Sequence, residues 1–218
     1  MIPRISSGAR IAGATVLVAA AAAILYGCAG APANDDSASL EARTIAMMKE
    51  SFKAHGQAGL DRLDQDDTQR VCSRYSTTPP PAAVAKKIEA ENLAKVRYPA
   101  DGKLMGDWKK GEKIAQQGRG MQFSDDPSKP AGANCYACHQ LAPQELSYGT
   151  MGPSLYKFGK TRGYTEENRR YVWAKVYDAE AFSACTNMPR FGERHILTDE
   201  QIRDVVALLM DPNSPVNH

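Results

Sequence analysis

The chain lacks an excess of either charge. Lys and Arg number 27 and Asp and Glu 25 over 218 residues, a formal net charge of +2. Loss of the leading segment, argued below, removes Arg4 and Arg10 and brings the balance to 25 against 25. That neutrality excludes nucleic acid, or any strongly charged macromolecule, as the main partner. No stretch alternates apolar and polar residues as a strand does, which leaves an all-α chain. The acidic run Asp64-Gln65-Asp66-Asp67 lacks the turn glycine and closing glutamate of a calcium loop and is expected to be a solvated face. Cysteine is scarce at five, and no second Cys/His pair accompanies the one at residues 135–139, which argues against a structural zinc site.

Export is written at the start. Arg4 and Arg10 precede an apolar run from Ile11 to Leu25 that is too short and alanine-rich for a permanent membrane span. Residues 1–27 therefore read as a signal peptide, without a twin-arginine pair, directed to the periplasm of a Gram-negative bacterium. Two cleavage sites stand open. Leu25-Tyr26-Gly27-Cys28 resembles a lipoprotein box, which would leave Cys28 lipidated, whereas cutting after Ala31 or Ala33 would discard it.

What is present centres on Cys135-Tyr136-Ala137-Cys138-His139, the C-x-x-C-H pattern of covalent haem attachment. On one helical turn, residues i and i+3 share a face, so two thiols can reach the two vinyl groups of a single porphyrin. The adjacent imidazole is then placed to ligate iron. A redox dithiol would want a preceding strand, but Ser124 to Gly132 has the Asp, Pro and Gly content of a loop. One covalent haem c is the expected cofactor. Cys72 and Cys185 remain, and two thiols in an oxidising compartment are expected to pair. Such a bridge would be worth on the order of 3–5 kcal/mol and would staple the N-terminal segment to the haem domain. The alternatives are two separate buried thiols, or Cys185 near the iron.

The mature chain divides into a helical extension over residues 28–100 and a haem domain over 101–218. In the extension, Leu40, Ile45, Met47, Met48 and Phe52 are spaced for one helix face, with Met47, Met48 and Met210 expected as core. Leu60, Leu63, Val71 and Tyr75 suit a second helix carrying the acidic run. Pro79-Pro80-Pro81 breaks it, and Ala82 to Arg97 suits a third, with Glu91 and Lys95 as an i, i+4 pair. In the haem domain, helices are expected over Asp107–Gln117, from a Thr165 cap to about Phe182, and from a capping box at Thr198 to Met210.

For the sixth iron ligand, Met188 fits best by context. It lies between two helices, and Pro189 holds it extended. His195 is the rival, with Cys185 or an open site also standing; His55 and His218 are the other histidines. Methionine would raise the haem potential and close the iron to small ligands, which suits electron transfer better than a sensor or peroxidase.

Beyond the attachment motif, Gly106-Asp107-Trp108-Lys109-Lys110-Gly111-Glu112, Gly149-Thr150-Met151-Gly152-Pro153-Ser154-Leu155 and the run Ala181 to Gly192, which contains Asn187-Met188-Pro189-Arg190-Phe191-Gly192, resemble the SoxX family. SoxX is the monohaem subunit of the periplasmic thiosulfate-oxidising SoxAX complex, and the resemblance covers about residues 102–215. It implies a class I cytochrome c fold, thioethers at Cys135 and Cys138, axial His139 and Met188, and a Pro153 carbonyl orienting the His139 ring. It further implies the electron-transfer subunit of a heterodimeric L-cysteine S-thiosulfotransferase, not catalytic alone. Its partners would be a SoxA-type dihaem or monohaem catalytic cytochrome, the sulfur-carrier protein of the pathway and a soluble electron acceptor. A free-standing electron shuttle is the alternative, although the near-zero net charge offers little for steering weak encounters.

Overall fold

A computed structural model describes residues 35–218, with side chains from Ser39 onward. The export segment and Cys28 lie outside the described residues. The chain forms two compact units, one ending at Phe52 and one running from Lys53 to His218. Among the described residues the secondary structure is helical, apart from an isolated bridge between His55 and Ala58, and no helix is long and apolar enough to cross a membrane.

In the first unit, α1 spans Asp35–Ser51. Its expected apolar face is out in solvent: Leu40 is 62% and Met47 61% exposed. Met47 is therefore not core. Met210 is, at 0% exposure.

In the second unit, the expected helix from Leu60 to Tyr75 is two elements: a 3-10 turn at Leu60–Leu63 and α2 at Asp67–Arg74. The acidic run falls in the break because Asp66 caps α2. Its carboxylate accepts from Gln69 N at 2.8 Å while the Gln69 side chain returns a bond to Asp66 N, a reciprocal box that fixes the helix start. Asp66 is half-buried and paired with arginines, so it is not the solvated face expected. The next helix, α3, covers Ala82–Leu93 and stops short of Arg97. Lys95 therefore falls outside it, and Glu91 pairs instead with Lys87, one turn earlier.

Three further helices carry the core. They are α4 (Trp108–Gln116), α6 (Glu166–Tyr177) and α7 (Asp199–Met210), with the short α5 at Phe158–Arg162. Each long helix starts on a side-chain cap: Asp107, Thr165 and Thr198, the last with Gln201 as a full capping box. The helix capped by Thr165 ends at Tyr177 and not near Phe182. Asp178 turns extended there (φ −146°, ψ 101°) and caps a separate 3-10 turn at Ala179–Ala181.

Helices α4 and α7 cross at backbone distance. A Cβ on Gly111 would sit 2.1 Å from the Asp204 carbonyl oxygen, so only glycine permits the approach. Asp107 N donates to Asp204 Oδ1 at 2.8 Å beside the same crossing. Trp173, Ile202, Val206, Leu208 and Met210 fill the space behind it, each 0% exposed. Full burial of side chains of this size contributes roughly 1.5–3 kcal/mol apiece.

Residues 53–100 belong to this same unit, so the expected boundary at residue 100 does not mark a separate body. The Trp173 indole N–H donates to the Arg97 carbonyl at 2.8 Å, and Cys72 is disulfide-bonded to Cys185, 113 residues away. These cross-links join the segment to the core around α6.

Candidate haem site

The attachment motif folds as a 3-10 turn over Cys135–Ala137, entered from Asn134 in the left-handed region (φ 46°). Cys138 N and His139 N both donate to the Cys135 carbonyl, at 3.1 and 2.9 Å, which closes the turn. Two flanking segments hold it. Ahead of it, Ala133 N and Asn134 N bond the carbonyls of Ile114 and Gln117 at the end of α4. Behind it, Gly149 N, Gly152 N and Leu155 N bond the carbonyls of Tyr136, Cys138 and Gln140, each at 2.8 Å. The Gly-Thr-Met-Gly-Pro-Ser-Leu stretch is thus a strap laid along the motif.

That strap sets the imidazole. His139 Nδ1 lies 2.7 Å from the Pro153 carbonyl oxygen. A carbonyl oxygen only accepts, so Nδ1 carries the proton and Nε2 keeps its lone pair for a metal. A Cβ on Gly152 would stand 2.2 Å from His139 Cε1. The strap therefore presses on the ring as closely as backbone can.

A cavity of about 540 Å³ opens beside the motif, bounded by Cys135, Cys138, His139, Pro153, Cys185 and Met188. The rest of its wall is largely apolar, including Leu141, Leu155, Phe158, Val172, Phe191 and Leu209. Such a volume suits a cofactor. Cys135 and Cys138 are free of any disulfide. The Cys135 thiol is pushed up to about 12 by burial, although the residue as a whole is half-buried. A redox dithiol needs an accessible thiolate, and this environment suppresses one. Among the described residues no cluster of three His, Cys, Asp or Glu side chains could hold a bare metal ion.

The residues present fit a haem. Two thiols lie three positions apart, an imidazole has a free Nε2, a thioether comes from a second loop, and the walls are apolar. The cationic side chains on the wall are Arg162 and Lys175, and no carboxylate lines it. They would hold the two carboxylates of the porphyrin. Sequence reasoning missed both, because a lone Arg or Lys on a helix carries no spacing signal. It also passed over Met151, which lines the cavity but is 72% exposed and sits on the strap beside the His139 ring. Met188 is half-buried, on a loop 49 residues beyond His139 (188 − 139). Of the other histidines none lines the cavity. His195 is exposed with φ +54°, His55 lies against the Phe123 ring at 4.7 Å, and His218 is exposed at the C-terminus.

Residues 128–211 match the cytochrome c family model. An uncharacterised lipoprotein of Aquifex aeolicus, strain VF5, is 35% identical over 158 residues, 70% of this chain and 73% of that protein. The chain contains a cytochrome c domain. Such a domain implies covalently bound haem c and points to electron transfer. The family match begins upstream of the attachment motif and ends at the residue after α7.

Proposed function

We propose that this cytochrome c binds one haem through Cys135 and Cys138, with His139 and Met188 as axial ligands. We propose further that it is the electron-accepting subunit of a SoxAX-type L-cysteine S-thiosulfotransferase. The observation that carries the first part is the convergence of His139, its Nδ1 occupied by Pro153, and Met188 on one apolar cavity. Bound haem c supplies a one-electron iron couple. The chain's own residues do the rest. Pro153 holds the imidazole in one tautomer and orientation, the apolar wall would keep water from the group, and the Met188 thioether would serve as its second protein ligand, against small ligands.

The second part rests on the likeness of the strap and the Asn187–Gly192 loop to SoxX. Joining thiosulfate to a carrier thiol forms one S–S bond and releases two electrons and one proton. A monohaem subunit accepts these electrons singly and hands each to a soluble cytochrome or copper protein. The sulfur chemistry itself would belong to the SoxA-type partner, since Cys185 is tied up with Cys72 and Cys135 and Cys138 belong to the haem. The Aquifex relative is called a lipoprotein, which favours a periplasmic protein anchored through lipidated Cys28 over one cut after Ala31 or Ala33. Purification from thiosulfate-grown cells with haem staining tests the assignment. A second, catalytic haem subunit is expected to co-elute. Elution alone would make the chain a free-standing shuttle.

A further inference from the structure

Residues 53–100 contribute nothing to the cavity wall, yet the sequence keeps them folded against the haem domain. Besides contacts to the 121–125 loop and to Trp173, one set of their contacts meets at a single loop. The six residues Cys185 to Arg190 contain Met188, and both ends of that loop are fixed to α2. Cys185 is disulfide-bonded to Cys72, within α2. Arg190 Nη2 lies 2.7 Å from Oδ2 of Asp66, the N-cap of the same helix. The Arg194 side chain meets the same Asp66 oxygen. A neighbouring helix adds to the anchor, since Ala184 N donates to Glu89 Oε1 of α3 at 3.3 Å. Cys185 itself has φ +58°, a left-handed backbone that a non-glycine residue holds only when its surroundings dictate it.

Burial makes the Asp66 contact matter. Arg190 is 8% exposed, and a guanidinium this deep that loses its carboxylate is left an uncompensated charge. Glu193 Oε2 is 3.4 Å from Arg190 Nη1, so part of the compensation is local to the loop. Asp178 and Glu180 also act on this charge, but the hydrogen-bonded carboxylate is that of Asp66, 124 residues away in sequence.

We propose that α2 is a clamp that holds the Met188 loop closed over the iron site, with Asp66, Arg190 and the Cys72–Cys185 bridge as its positioning elements. The proposal rests on Met188 being the sixth ligand. It gives the segment 53–100 a function: keeping the thioether in place, so that the iron passes electrons without admitting small ligands.

The experiment titrates the ferric holoprotein, as the full chain, with imidazole, which ligates iron only when Met188 leaves. The apparent dissociation constant is the intrinsic one divided by the fraction of protein in the open state. Asp66→Asn keeps the helix cap, since asparagine caps as well as aspartate, and removes only the charge. It is expected to tighten imidazole binding by roughly tenfold, and so is the Cys72→Ser, Cys185→Ser pair. Asp66→Glu, which restores the carboxylate, is expected to return towards wild type. Met188→Ala sets the upper limit. Unchanged imidazole affinity in Asp66→Asn and in the cysteine pair, with only a lowered denaturation midpoint, would overturn the clamp and leave α2 a plain structural staple. A wild-type protein that already binds imidazole as tightly as Met188→Ala would instead refute the ligand assignment, and the clamp with it.

Discussion

Asp178 gives the most quantitative prediction. It is 0% exposed, and its Oδ1 accepts from Glu180 N at 3.0 Å while Oδ2 has no hydrogen-bond partner. Burial pushes its carboxyl up from 3.8 to about 6, against the opposing pull of the Glu180 N–H bond and of Arg190; Glu193 pushes with burial and Lys95 against it. Lys175 and Glu180 also face it. The neutral acid is thus the form the fold prefers. Between roughly pH 4 and 6 the folded protein keeps a proton that the unfolded chain has released, so stability falls as pH rises through that window and is level above it. A gap of about two units corresponds to ~3 kcal/mol.

Asp178→Asn imitates the neutral acid and keeps an oxygen for the Glu180 cap. Urea unfolding of the holoprotein at intervals from pH 4 to pH 8, wild type against variant, isolates the effect. This difference is needed because Glu180 and Asp204 are also raised, whereas Asp101, Asp125 and Asp126 are lowered by their hydrogen bonds and slope the other way. The variant is expected to match wild type near pH 4 and to exceed it by about 3 kcal/mol above pH 6. A constant offset across the whole range would refute the reasoning.

Other outcomes follow from the same contacts. Met188→Ala is expected to abolish the weak red absorption band of methionine-ligated ferric haem and to lower the reduction potential; a band that survives would move the ligand elsewhere. In Gly152→Ala the new Cβ would meet His139 Cε1 at 2.2 Å, so the ring must turn away from Pro153. The holoprotein should show a changed Soret spectrum and a shifted potential. Gly111→Ala forces α4 from α7, where the new Cβ would meet the Asp204 carbonyl at 2.1 Å. It should cost about 1–3 kcal/mol in urea unfolding while leaving the haem spectrum unchanged.

Features that act over a few residues were legible in the sequence. The Thr198–Gln201 box and the Thr165 cap depend only on neighbours three or fewer positions away, and both form. The attachment turn is equally local. Element ends were less legible. Phe182 looked helical because nothing nearby is a strong breaker, but Asp178 leaves the helix to cap the next turn with its own carboxylate. Met47 has core chemistry and helical spacing, and spacing alone does not say whether a surface exists to cover it.

Asp66 illustrates the opposite limit. Within the run Asp64 to Asp67 it has the same composition signal as its neighbours, and on those grounds it reads as solvated. Its pairing with Arg190 spans 124 residues and becomes visible only when α2 lies beside the Met188 loop. The Cys72–Cys185 bridge, by contrast, was legible from the cysteine count and forms; what the structure adds is that Cys72 lies on the same helix that Asp66 caps. A segment that looked detachable, because it supplies no ligand and no wall, thus fixes both ends of the loop bearing the proposed sixth ligand. Cutting the chain at residue 100 would leave the attachment motif, His139 and Met188 all present. It would also leave Arg190 buried without Asp66, and Cys185 without its partner. A c-type cytochrome core trimmed this way is expected to attach haem and yet bind imidazole readily, which separates the requirements for holding a haem from those for closing it.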